Sequence, residues 1–245
     1  MMRDLPLSVR NYWQKRRIWD RYQEERHPVI GRILREQREL TVAAVGDFAA
    51  QRTAQVDVAD LGCGTGWIAC DVMALERVHS LVAADINPRA LIKLAAGAAK
   101  LGLEEKLRTR AGDLYQLDWG EAESFDVILC VDALHHLPDI PRMLAGIRSR
   151  LKGDGAFIGN IRAREGTAKF FSRYGPINRT LIGVQPVVDR VLPERSRLRN
   201  WLGSIGYFRI RTFRRSEVEH LLEDGGFRIE RMNSGFYHWF VGAKG

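Results

Sequence analysis

The residues best suited to chemistry in this chain are three glycines and two aspartates. Gly62, Gly64 and Gly66 stand at G-x-G-x-G spacing just after an apolar run containing Val56, Val58 and Ala59, and Asp60 precedes the first of them. The next apolar run, SLVAAD, closes on Asp85. The first run reads as the end of a buried parallel strand, and the residues from Ile68 onward read as helix. Glycines between a strand and a helix let the backbone turn sharply and approach a ligand closely. The helix start behind them offers free N–H groups and a positive dipole end to a carboxylate or phosphate.

A nicotinamide site would use a similar strand, loop and helix, but its fingerprint is G-x-G-x-x-G. Here Trp67 follows Gly66, so the third glycine arrives one residue early. Asp60 would repel a pyrophosphate, whereas it would pair with an ammonium. Asp85 stands where a carboxylate accepts from both hydroxyls of a ribose, as in the dinucleotide folds. A ligand with an amino group, a carboxylate and a ribose satisfies all three features, and S-adenosylmethionine is such a ligand.

Further segments follow in order: AGDL, FDVILCVDALHHLPD and LKGDGAFIG. With VADLGCGTG and LVAADINP, this series resembles the class I S-adenosylmethionine-dependent methyltransferases, in particular their small-molecule and lipid branch. The match covers residues 56–161 closely and the C-terminal strands loosely. The resemblance implies a Rossmann-like α/β fold: a mostly parallel seven-stranded sheet whose last strand is antiparallel, with helices on both faces. It implies a cofactor site of Asp60, Gly62, Cys63, Gly64, Thr65 and Gly66 toward the methionine end. Asp85, Ile86 and Asn87 fall at the ribose and adenine, with Gly112, Asp113 and Leu114 at the adenine and Val131 and Asp132 beside them. The rival reading of Asp113 is a cap on the following turn. The pair His135-His136 resembles the family's LHHL pattern, in which an imidazole serves as a general base. The alternative has His136 packing under the loop against backbone, and His135 stands open between the two roles.

The elements needed to position these residues are legible. Helix is expected over 12–51, broken at His27-Pro28 and near Thr41. Strands are expected near 56–61, 80–85, 107–111, 125–131 and 155–161, alternating with helices as a parallel sheet requires. A capping box at Ser216-Glu217-Val218-Glu219 starts a helix that ends at Gly225-Gly226. A hairpin turning at Asn233-Ser234-Gly235 closes the chain. At 245 residues this is one domain with decorations. Its parts are a helical cap (1–52), a cofactor core (53–161), a substrate lid inserted after the fifth strand (162–211), and a helix with hairpin (212–245).

Charge is unevenly spread over the net +8. Residues 162–215 carry thirteen Lys and Arg against three Asp and Glu, while residues 41–161 are mildly acidic. The lid also holds Phe170 and Tyr174, and these residues, together with Tyr237 and His238 of the hairpin, form the expected acceptor pocket. Aromatics mixed with arginines suit a hydrophobic or amphipathic acceptor that is anionic or near a membrane surface. Trp13, Trp19 and Tyr22 are expected to cover the cofactor, with Arg16 or Arg17 near its carboxylate. No run of eighteen apolar residues and no apolar leader core is present, which points to a cytoplasmic protein. Three cysteines without C-x-x-C spacing, and no acidic or His/Cys set at ligand spacing, argue against disulfides and a metal. The basic excess keeps RNA methylation as a rival. Against it, the fourth-strand loop reads VDALHH, not the (D/N)-P-P-(Y/F) of amino-group base methylases, and no Pro-Cys nucleophile pair occurs. A third reading is a family member that binds the cofactor without methylating.

Overall fold

The computed structural model describes residues 28–117, 124–167 and 211–245. Helix α1 (Pro28–Ala50) leads into β1 (Val56–Leu61), α2 (Ala69–Met73), β2 (Val78–Asp85), α3 (Pro88–Lys100) and β3 (Leu107–Ala111). β4 (Phe125–Cys130), α4 (Ile140–Arg150), β5 (Leu151–Arg162), α5 (Arg215–Asp224), β6 (Phe227–Ser234) and β7 (Tyr237–Lys244) complete the order. The seven strands form one sheet in the order β3-β2-β1-β4-β5-β7-β6. β1 to β5 pair in parallel, and β7 lies antiparallel to both β5 and β6. This is the expected sheet, with β7 as its one reversed strand.

Strand alternation divides the core in two. Val58, Leu81, Val127, Leu129, Ile158 and Val241 face one side, where Val45, Val72 and Leu94 of α1, α2 and α3 cover them. Ala59, Val82, Ile128, Phe157 and Phe240 face the other, under Leu144 and Ile147 of α4 and Val218 and Leu222 of α5. Both faces are covered over the central strands, which is why β1, β2, β4 and β5 carry apolar runs, while the edge strand β3 (LRTRA) stays largely exposed. Phe157 anchors the second layer against Phe227 and Phe240, each with ring centroids 5.3 Å away.

Helix starts follow local chemistry. Asn87 accepts from Arg89 N ahead of Pro88, and Asp139 accepts from Arg142 N ahead of α4. Three expected boundaries move. α1 runs through Thr41 without a break, because the Thr41 hydroxyl donates to Gln37 O (2.7 Å) and so satisfies itself within the helix. β5 begins at Leu151, since Leu151 pairs with Phe125 across a register shift despite the turn-like Gly153-Asp154-Gly155. α5 starts at Arg215, where Glu217 accepts from Arg214 N (2.6 Å), so the box lies two residues earlier than Ser216 suggested. Arginine has no acceptor, so only the glutamate half of that box forms. The expected helix over 12–27, with Trp13, Arg16, Arg17, Trp19 and Tyr22, lies outside the described residues. So does most of the lid, including Phe170 and Tyr174. No helix among the described residues is long and apolar enough to cross a membrane.

Candidate active site

Strand order reverses between β1 and β4, and in open α/β sheets the crevice at such a point binds ligands beyond the strand carboxyl ends. A cavity opens there. It is lined by Gly62, Gly64, Asp85, Ile86, Asn87, Ala90, Leu114, Asp132, Ala133, His136 and Leu137.

The loop after β1 needs its glycines. Gly62, Gly64 and Gly66 have φ of +76°, +55° and +81°, in the left-handed region. A Cβ on Gly62 would lie 2.7 Å from Ala133 Cβ, so the β4 loop could not keep its place. Asp85 ties this loop to β2. Its Oδ2 accepts from Gly64 N (2.9 Å) and its Oδ1 from Asn87 N (2.7 Å). Burial pushes the Asp85 carboxyl up from its ordinary value, against the pull of these backbone donors. Asp60, 4% exposed, is pushed up to about 7 by burial and then by the nearby Asp85 charge. Helix α2 behind the loop has only five residues, so its dipole is small and the loop N–H groups matter more.

Half of the expected cofactor residues line the cavity: Gly62, Gly64, Asp85, Ile86, Asn87, Leu114 and Asp132. Asp60, Cys63, Thr65, Gly66, Gly112, Asp113 and Val131 sit in the same loops without lining it. The Cys63 thiol is pushed well above its ordinary value by burial and the Asp60 and Asp85 charges, so it packs rather than reacts. Asp113 Oδ1 accepts from Tyr115 N (3.1 Å), which is the turn-capping role, while Leu114 turns its side chain to the cavity.

The β4 loop is held in an unusual shape. Asp132 has φ +57° and is the non-glycine residue with positive φ among the described residues. Its N–H donates to Asn160 Oδ1 (2.7 Å), and Asn160 Nδ2 donates to Gln37 Oε1 (2.9 Å). Trp239 Nε1 donates to Thr41 Oγ1 (3.1 Å), completing a buried polar line from α1 through β5 and β7. The Asp132 carboxylate accepts from Tyr237 Oη (2.6 Å), and its Oδ1 lies 3.4 Å from His135 Nε2 and 3.9 Å from an Arg162 terminal nitrogen. The His135 contact lacks hydrogen-bond alignment, leaving both ring nitrogens buried without a partner. Burial holds the His135 ring below its ordinary value, so it is neutral near pH 7. Burial raises Asp132, but its neighbours, the Arg162 guanidinium among them, outweigh it and hold the carboxyl well below the usual carboxylate range. Burial and the Asp132 charge keep the proton on Tyr237.

The structure separates the two histidines, of which His135 stood open between base and packing and His136 was expected to pack under the loop. His135 is fully buried, and His136 lines the cavity. Two adjacent residues of a 3-10 turn (Leu134–His136) point differently, and sequence cannot say which faces inward. Tyr237, expected in the acceptor pocket, touches the cavity-lining Asp132 without lining the cavity itself, and His238 lies away from it. Its Nε2 faces Phe213 O (3.0 Å) and its Nδ1 faces Ser234 Oγ (2.9 Å). The carbonyl can only accept, so Nε2 carries the hydrogen and the serine donates to Nδ1. The ligand atoms of Asp132, His135 and His136 come within 4.8 Å of one another, a convergence that their sequence spacing did not suggest. The carboxylate already serves Tyr237 and faces Arg162, which opposes a cation there.

A family profile described as a methyltransferase domain matches residues 33–231. The chain belongs to this methyltransferase family. The methyltransferase is 30% identical over 100 residues to a sterol 24-C-methyltransferase of Gibberella zeae, 41% of this chain and 26% of that protein. Against a ubiquinone biosynthesis O-methyltransferase of Coxiella burnetii it is 25% identical over 181 residues, 74% of this chain and 67% of the other. The match thus spans about a quarter of the sterol enzyme's length. In fold, the methyltransferase resembles the magnesium protoporphyrin IX methyltransferase of Synechocystis PCC 6803 solved with bound S-adenosylmethionine. That likeness has a TM-score of 0.63 at 16% identity, covering 97% of this chain and 95% of the other.

Proposed function

We propose that this methyltransferase moves a methyl group from S-adenosylmethionine to a small apolar or amphipathic acceptor that carries negative charge. The observation that carries this reading is the meeting of the left-handed glycine loop, Asp85 and the β4 loop around one cavity. The residues present fit the donor. The glycines leave room that a Cβ at Gly62 would close. Asp85 retains lone pairs for ribose hydroxyls beyond the two it gives to backbone N–H groups. Ile86 and Leu114 offer apolar walls to an adenine, and Asp60, buried near the end of β1 just before the glycine loop, would ionise beside an ammonium. Bound there, the donor supplies an electrophilic methyl group on a sulfonium. The chain's work is then positioning and exclusion of water, which can supply much of the barrier reduction for displacement by an oriented nucleophile. His136 is the imidazole that lines the cavity and the proposed general base, because Asp132, held ionised, is a poor one and Asp85 is given to the ribose.

The test is transfer from labelled S-adenosylmethionine into a native cell extract, separated into organic-soluble, RNA and protein fractions. Label should enter the organic fraction above an Asp85→Ala control. Label in RNA or protein instead would sink the small-acceptor reading, and no S-adenosylhomocysteine at all would favour a binder without turnover.

Asp60 gives a pH signature. Its folded value of about 7 lies above its unfolded value of 3.8, so the folded protein without ligand holds the extra proton. Stability then falls as pH rises from about 4 to about 7. An ammonium beside Asp60 favours the ionised form, so S-adenosylhomocysteine should bind about tenfold tighter at pH 8 than at pH 6, with proton release. Calorimetry in two buffers of different ionisation enthalpy reads both, and Asp60→Asn should flatten the profile. A flat profile in the wild type would remove Asp60 from the cofactor site.

A further inference from the structure

We propose that Arg162 is the anchor for the acceptor's anionic group, a carboxylate on an apolar body; this deepens the methyl-transfer reading and rests on it for the acceptor's role. Arg162 ends β5 at the sheet edge where the cavity opens, and its side chain is only 12% exposed. A buried guanidinium needs its donors used and its charge matched. Here its charge faces the Asp132 carboxylate, but its donors are only partly used. Of five N–H donors, one terminal nitrogen donates to Tyr237 Oη (3.2 Å), while Nε is buried without a partner. The nearest carboxylate oxygen, on Asp132, is 3.9 Å away, too far for a hydrogen bond, and it already accepts from Tyr237 at 2.6 Å.

The guanidinium is also held in place. Its carbon lies 4.4 Å from the Phe236 ring centroid and 4.9 Å from that of Tyr237. Stacking against aromatic faces fixes the plane of the fork without consuming its in-plane donors. A rigid fork with donors to spare matches a carboxylate bidentately. Asp132 connects this group to the cavity, since it lines the cavity and touches Arg162. The same stretch of wall carries Ala133 and Leu137, apolar surface for the rest of the acceptor. Tyr237, donating to Asp132 and accepting from Arg162, holds the ionised carboxylate away from direct pairing and leaves the fork for a ligand.

The probes are octanoate, octanol and octylamine, which share a chain and differ in the head group. Each is titrated calorimetrically into the protein with and without saturating S-adenosylhomocysteine. Octanoate should bind at least about tenfold tighter than octanol, the size of one charge-assisted contact. Arg162→Gln should remove that preference while leaving octanol binding unchanged. Arg162→Lys should keep the charge but lose part of the preference, because the fork is gone. Equal binding of octanoate and octanol to the wild type, or an undiminished preference in Arg162→Gln that still binds S-adenosylhomocysteine, would overturn the assignment. If Arg162→Gln fails to fold, the wild-type comparison and Arg162→Lys decide it. Failure of S-adenosylhomocysteine to bind the wild type would sink the methyl-transfer reading separately, with the octanoate preference still reporting on Arg162.

Discussion

Asp85→Ala should weaken S-adenosylhomocysteine binding by about a hundredfold or more. On the proposed placement, two hydrogen bonds from ribose hydroxyls to an ionised acceptor are at stake, each contributing about 1.5–3 kcal/mol. The substitution also frees Gly64 N and Asn87 N, which donate to the two carboxylate oxygens, so the glycine loop loses its tie to β2. The fold should survive, because the carboxylate is itself unfavourably buried and its removal relieves that cost. Calorimetric titration with S-adenosylhomocysteine measures the effect, and thermal melting checks the fold. Binding within threefold of wild type would show that Asp85 does not hold the ribose. Asp85→Asn separates the parts, since it keeps one acceptor for the loop and lacks the charge.

Asn160→Ala should lower stability by about 3–5 kcal/mol, among the larger single-site effects. Asn160 is fully buried, and both halves of its amide are used. Alanine would orphan Asp132 N and Gln37 Oε1 in the interior, each at about 1–3 kcal/mol, and would leave a void. Asp132 would also lose the bond that holds it at positive φ, and the β4 loop would relax toward ordinary backbone. At about 2–4 °C per kcal/mol for a chain of this size, the melting temperature should fall by roughly 10 °C. A melting temperature within 2 °C of wild type would show that the line from Gln37 to Asp132 carries no strain. Asn160→Asp tests the mechanism, because its carboxylate still accepts from Asp132 N while Gln37 can turn its amide to donate.

What sequence revealed and what it hid separate along physical lines. Four of the five parallel strands announced themselves because burial on both faces makes each a short apolar run bounded by glycines and charges, whereas β3, LRTRA at the sheet edge, has no buried residue and was placed by its spacing in the strand-helix rhythm. The glycine loop and Asp85 were legible because only certain residue types permit that backbone and that contact. Contacts between distant segments left no such mark. Asn160 is one polar residue in AFIGNIR, and nothing local says that it bonds Gln37, 123 positions away. His135 and His136 are neighbours of the same type, and only packing decides that the second meets the cavity. Arg162 was hidden among the lid's arginines, where composition drew attention to the whole stretch and not to the one held by β5. The fifth strand was expected from near 155, because Gly153, Asp154 and Gly155 favour turns; it starts at Leu151, which pairs with Phe125, and the register then jumps to Ala156 opposite Val127.

β7 pairs on both sides, with β5 and with β6, and its first residue is Tyr237. This ordering shapes how the chain matures. While β1 to β5 have left the ribosome and β7 has not, β5 presents an open, largely apolar edge of the kind that recruits other chains. Asp132 at that stage also lacks its phenol partner. The insertion of β7 ends both conditions at once, covering the β5 edge and bringing the Tyr237 phenol to Asp132.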